Sequence, residues 1–137
     1  RDYARSKVFY EMLGFVEVWK VPETNSPEVN AAVGMQDYQV NGAIMALQGA
    51  EPAMLIDLLE WQQPRDNADP YPNLHRPGLA RLALRSSDLH SDYAFLVAEG
   101  VDVLSEPATV MSSANHGSRF FCFKDPDGTF LELVESF

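Results

Sequence analysis

The chain has 137 residues, 46% hydrophobic and 22% charged, which is the balance of one globular domain and excludes a disordered chain. Twenty acidic against ten basic residues give a formal charge of −10, so neither nucleic acid nor an anionic membrane surface is an expected partner; the acidity suits solubility first and a cationic small ligand second. No apolar run reaches the roughly 18 residues of a membrane span, and the single Cys122 excludes an intramolecular disulfide, so the cytoplasm is the expected compartment.

In chain order, Tyr3, Val8, Phe9, Met12 and Leu13 recur at helical spacing and Gly14 supplies a left-handed stop. Residues 15–21, "FVEVWKV", alternate as a strand. In "TNSPEVNAAVGMQD" a short helix is expected, with Ser26 as cap and Pro27 at its first position. Strands are expected over 42–48 and over 55–61, "LIDLLEW", before a linker over 62–78 that holds four prolines. Residues 78–87, "GLARLALRSS", read as a strand with Leu79, Arg81, Ala83 and Arg85 on one face. A helix follows with Asp88 or Ser87 as cap, a stripe of Leu89, Tyr93, Leu96 and Val97, and Gly100 as stop. Strands over 101–104, 119–124 and 130–136 complete the reading.

The two helical segments superpose at an offset of 86, placing Asp2 on Asp88, Phe9 on Phe95 and Gly14 on Gly100. The closing strands match as well, with Asp57 of "LIDLLEW" opposite Glu132 of "FLELVES". Such self-similarity implies a duplicated unit. The second unit has a strand ahead of its helix, whereas the counterpart in the first would fall before residue 1. The first unit is therefore expected to lack its first strand. An α+β fold follows: one domain of two βαβββ units, about 1–61 and 78–137, with mixed, mainly antiparallel sheets curling round a cleft.

Glu132 raises a physical problem. It shares a strand face with Phe130 and Val134, and a carboxylate directed into an apolar core costs several kcal/mol unless it is paired. Either an edge strand with Glu132 in water or a polar cavity holding a metal, a cation or a substrate would resolve the conflict. The segments "FYEMLGF", "LARLALRSSDL" and the terminal "FKDPDGTFLEL" resemble the vicinal oxygen chelate superfamily, which includes glyoxalase I, extradiol dioxygenases and bleomycin-resistance proteins. The resemblance implies two units forming an incomplete barrel around a divalent metal, with ligands from the first and last strand of each. Last-strand ligands then fall on Asp57 and Glu132, and the usual histidine of the second unit's first strand falls on Arg81. A guanidinium has no lone pair to donate and is permanently charged. Arg81 is thus expected to take the metal's place and to neutralise Asp57 or Glu132 in a metal-free, cofactor-free pocket.

Three functions are compatible with these residues. The first is lyase or isomerase proton transfer on a small oxygenated metabolite, with Glu132 as base, Arg81 stabilising an enolate or carboxylate, and Asp57 completing the polar floor. The second is a binding protein that sequesters a small molecule, as drug-resistance proteins do. The third is a lyase or dioxygenase dependent on Zn, Ni, Mn or Fe, using Asp57, Glu132 and a residue upstream of Arg1. In each, Arg85, Trp61, Phe130 and Val134 are expected to line the pocket. Against these stands the plain alternative of a structural ion pair, or of a strand register slipped by one that turns Arg81 outward. His75, His90 and His116 are expected at the surface, and Cys122 as a small buried side chain. A homodimer is expected to cover the open sheet edges.

Overall fold

Asp2 accepts a hydrogen bond from the Arg5 amide at 3.0 Å and so caps the first helix, α1 (Tyr3–Met12), in the computed structural model, which describes residues 1–137 other than 24, 25, 76 and 80. The described residues divide into two units, Arg1–Ala68 and Asp69–Phe137. Thr24 and Asn25 ahead of the expected short helix, Arg76 in the expected linker and Ala80 in the expected 78–87 strand lie outside the described residues.

In the first unit α1 buries Tyr3, Ser6, Phe9 and Tyr10. Val8, placed in the stripe from sequence, is 67% exposed. At about 100° per residue it stands across the helix from the face that those four define. The sheet has the order β1 (Phe15–Lys20), β2 (Gln39–Leu47), β3 (Leu55–Gln63), all antiparallel. One face packs under α1, where Ala43 and Met45 are fully buried. Polar contacts pin the helix there: the Tyr3 amide donates to Glu60 Oε2 at 3.1 Å and the Tyr3 hydroxyl to Glu17 Oε2 at 2.9 Å. The opposite face carries Ile44, Asp57, Leu59 and Trp61, as the pairing of Ile44 with Asp57 and Gly42 with Leu59 requires. The short helix α2 (Pro27–Val33) forms with Ser26 as cap, Pro27 at its first turn and Gly34 at φ +70° as its stop.

The second unit contains β4 (Leu82–Arg85), α3 (Leu89–Ala98), β5 (Ala108–Met111), β6 (Gly117–Lys124) and β7 (Phe130–Ser136). Its sheet order is β4-β7-β6-β5, with β4 parallel to β7. Asp88 caps α3 as Asp2 caps α1, and the two ten-residue helices keep the offset of 86. The closing strands β3 and β7 match at 75, Asp57 on Glu132, so the first unit holds 11 additional residues between helix and closing strand, a stretch that accommodates α2. Leu84, Leu89, Leu96, Phe121, Phe123, Leu131 and Leu133 form the core between α3 and the sheet. Val97, expected in the α3 stripe, is exposed instead.

Two expected strands are cut back, β5 is a strand that the sequence reading lacked, and the other bounds shift by up to three residues. The 101–104 strand is reduced to an isolated bridge between Val103 and Phe123, backed by bonds from the Lys124 amide to the Asp102 carbonyl and from the Leu104 amide to the Cys122 carbonyl. Pro107 has no amide to continue that ladder, and pairing with β6 resumes only at β5. The 78–87 strand is shortened to β4, which leaves Arg81 just ahead of it. β7 has hydrogen-bonded neighbours on both sides and β3 on one; among the described residues no strand stands to β3 as β4 stands to β7. No described helix is long and apolar enough to cross a membrane.

Candidate functional site

Alternation along β7 sends Leu131 and Leu133 toward α3 and Phe130, Glu132 and Val134 to the other face of the sheet. Register places Glu132 between Ala83 of β4 and Cys122 of β6. Its carboxylate is almost fully shielded, the side chain retaining 10% of its exposure, and the Nε of Arg81 stands 2.7 Å from Oε2. The Cys122 thiol donates to the same oxygen at 3.8 Å. A buried carboxylate is tolerated here because a permanent cation and a weak donor converge on it. Burial raises the Cys122 pKa above its ordinary value, and the adjacent Glu132 charge raises it further, so the thiol stays protonated at neutral pH.

The rest of this face is more basic than the chain as a whole. Arg85 is exposed opposite Val134, which is half-buried. Lys124, paired in register with Phe130, holds its Nζ 5.7 Å from that ring's centroid and 3.1 Å from Asp102. Phe130 also lines a recess of about 240 Å³ together with Pro70, Tyr71, Leu79, Gly128 and Thr129. Pro70 and Tyr71 were not legible as site residues, since prolines at that density read as a linker.

Asp57 and Trp61 lie in the first unit, on the sheet face away from α1. Asp57 is exposed as a residue, yet partial burial of its carboxyl raises its pKa, and within its sheet no described cation pairs with it. Trp61 stacks on Tyr38 at 5.1 Å and lines a second recess, of about 260 Å³, with Met35, Leu59, Pro64 and Arg65. Of the expected polar trio, Arg81 and Glu132 are therefore in direct contact, while Asp57 belongs to the other unit. His75, His90 and His116 are all exposed.

The donor set around Glu132 does not fit a divalent metal. Its charged neighbour is a guanidinium without a lone pair, and among the described residues no three His, Cys, Asp or Glu side chains are grouped to hold one.

A family model described as Glyoxalase/Bleomycin resistance protein/Dioxygenase superfamily matches residues 1–133. Among curated proteins none matches the chain. Among solved structures, a glyoxalase family protein from Bacillus cereus aligns with a TM-score of 0.82 at 17% identity over 99% of this chain and 87% of its own. A glyoxylase/bleomycin resistance protein/dioxygenase domain from Frankia sp. EAN1pec aligns with a TM-score of 0.71 at 19% identity over 100% and 85%. TnmS3, an antibiotic binding protein from Streptomyces sp. CB03234, aligns with a TM-score of 0.61 at 26% identity over 98% and 87%.

Proposed function

The chain belongs to the Glyoxalase/Bleomycin resistance protein/Dioxygenase superfamily, which holds both enzymes and binding proteins, and from that premise we propose a small-molecule binding protein whose site is the Arg81–Glu132 face of the second unit. The observation that carries this reading is the 2.7 Å contact between Arg81 Nε and Glu132 Oε2. It commits the one carboxylate of this face's strands to a cation from the protein itself, at a position where the family resemblance puts metal ligands. A general base needs an oxygen open to within about 3 Å of the proton it removes. Glu132 is almost fully shielded and already has Arg81 and Cys122 on one oxygen. A floor of this kind orients a ligand rather than attacking it. The antibiotic-binding relative at 26% identity supports the same reading.

A second reading, proton transfer on an oxygenated metabolite, is favoured by one feature. The Arg81 side chain keeps 43% of its exposure, so an incoming anion can draw the guanidinium from Glu132 and release the base. One experiment separates the two. Ligands found by thermal shift are mapped by amide NMR and then held on the protein in deuterium oxide. Binding predicts shifts at Arg85 and Val134 with no loss of ligand C–H protons. Loss of a ligand proton that Glu132→Gln abolishes would establish the enzyme, and ligands that shift only amides elsewhere would refute the site.

A further inference from the structure

The binding reading leaves open what kind of molecule the face accepts, and the second unit's own chemistry points to one class. The 240 Å³ recess shares Phe130 with the strand that carries Glu132. Phe130 precedes Glu132 by two residues on β7, so this wall residue stands about 7 Å along the same strand face from the carboxylate, and Leu79 lies two positions ahead of Arg81 in the sequence. The recess is smaller than the roughly 300 to 1,000 Å³ of a whole drug-sized site, which suits it to one apolar moiety of a ligand. Its walls include exposed apolar surface, Leu79 being 74% exposed and Tyr71 48%, with Phe130 buried beneath and Asn73 and Thr129 adding polar groups. Covering such surface is favourable in proportion to its area.

Charge decides what must be attached to that moiety. The strand residues of this face, with Arg81 just ahead of β4, carry three cations, Arg81, Arg85 and Lys124, and one carboxylate, Glu132. Lys124 is partly answered by Asp102, and Glu132 is answered by Arg81. The Arg81 side chain is nearly half exposed just ahead of β4, and Arg85 is exposed at the other end of that strand. With Asp102 counted beside Lys124 the face keeps a surplus of one positive charge on a chain of formal charge −10, and Asp125, which accepts from the Thr129 amide at 2.8 Å, places its carboxylate at the turn rather than at Arg81 or Arg85. A cationic ligand would meet those guanidiniums at close range, whereas a carboxylate or phenolate would gain charge-assisted hydrogen bonds from Arg81.

We infer that the protein binds an anionic amphiphile: an apolar, ring-sized body in the recess of Pro70, Tyr71, Leu79, Gly128, Thr129 and Phe130, and an acidic oxygen group on Arg81. The inference rests on the binding reading above and overrides the cationic ligand that overall acidity suggests.

Three probes of one shape and different charge test it: naphthoate, naphthylmethanol and naphthylmethylammonium, titrated into the full chain and followed by amide NMR. Naphthoate binds at least about tenfold tighter than the alcohol, shifting the amides of Gly128, Thr129 and Phe130 together with Arg85. In the paired variant Arg81→Met with Glu132→Gln, which leaves no stranded charge, naphthoate and the alcohol converge to within about twofold. Leu79→Ser, an exposed loop change, weakens all three alike. Tightest binding by the ammonium probe overturns the ligand class while the site stands. Shifts at Arg85 and Val134 that bypass Gly128 to Phe130 overturn the recess alone. Probes that move neither set overturn the recess and the binding reading together.

Discussion

Replacing one partner of the Arg81–Glu132 pair should have unequal consequences, depending on which is removed. Arg81→Ala strands a carboxylate whose side chain retains only 10% exposure, whereas Glu132→Gln leaves an arginine whose side chain is 43% exposed and can turn to water. Pairs in full solvent contribute about 0 to 1 kcal/mol, and breaking a fully buried pair costs about 3 to 5 kcal/mol. A half-screened pair lies between, so Arg81→Ala should cost about 2 kcal/mol and Glu132→Gln less than about 1. For a chain of 137 residues, 2 kcal/mol is a fall in Tm of about 5 to 8 °C. Thermal and urea unfolding at pH 7, followed by circular dichroism, measure both variants and the double variant Arg81→Met with Glu132→Gln, which should recover most of the loss. Equal losses in the two single variants, or a double variant less stable than Arg81→Ala, would refute the reasoning.

Other consequences follow from single residues. Burial raises the Asp57 pKa, so its ionised form costs stability at pH values above the folded pKa and nothing below the unfolded value of about 3.8; Asp57→Asn should raise Tm at pH 7, with the gain vanishing toward pH 3, and an unchanged Tm would contradict this. Burial and the hydrogen bond to Glu17 push Tyr3 up to about 12 from 10.0, so its contribution is full below pH 10 and is lost toward pH 12; a phenolate absorbance titration should show a late-titrating tyrosine that Tyr3→Phe removes. A Cβ on Gly42 would stand 2.2 Å from the Leu58 carbonyl oxygen, a backbone atom that cannot swing away. Gly42→Ala should therefore cost about 2 kcal/mol or more in urea unfolding, and a neutral change would show that β2 and β3 can part.

Much of the fold was legible because period and punctuation agree along the chain. Asp2 and Asp88 as caps, Gly14 and Gly100 as stops, and Asp57 opposite Glu132 identify the repeat with no structural information. The misreadings have local causes. Val8 and Val97 are apolar at positions that the helix phase turns outward, which residue type alone does not disclose. The 101–104 strand continues only after a break at Pro107, because a proline interrupts hydrogen bonding without ending the strand's path. At the site, alternation put Phe130 and Glu132 on one strand face, while only the family resemblance brought Arg81 to Glu132. The recess wall was hidden because Pro70 and Tyr71 carry turn and loop chemistry, and a role that depends on the distant Gly128 turn leaves no periodic trace.

The central claim is that a guanidinium occupies the place of a metal ligand and that the floor of the site is complete without an ion. Elemental analysis of the purified protein after dialysis, before and after incubation with zinc, nickel, manganese or iron, tests it most directly. The account predicts substoichiometric metal in both samples, and a rise in retained metal only when Arg81→His supplies a lone pair. One equivalent of any of these metals retained by the unmodified chain would contradict it.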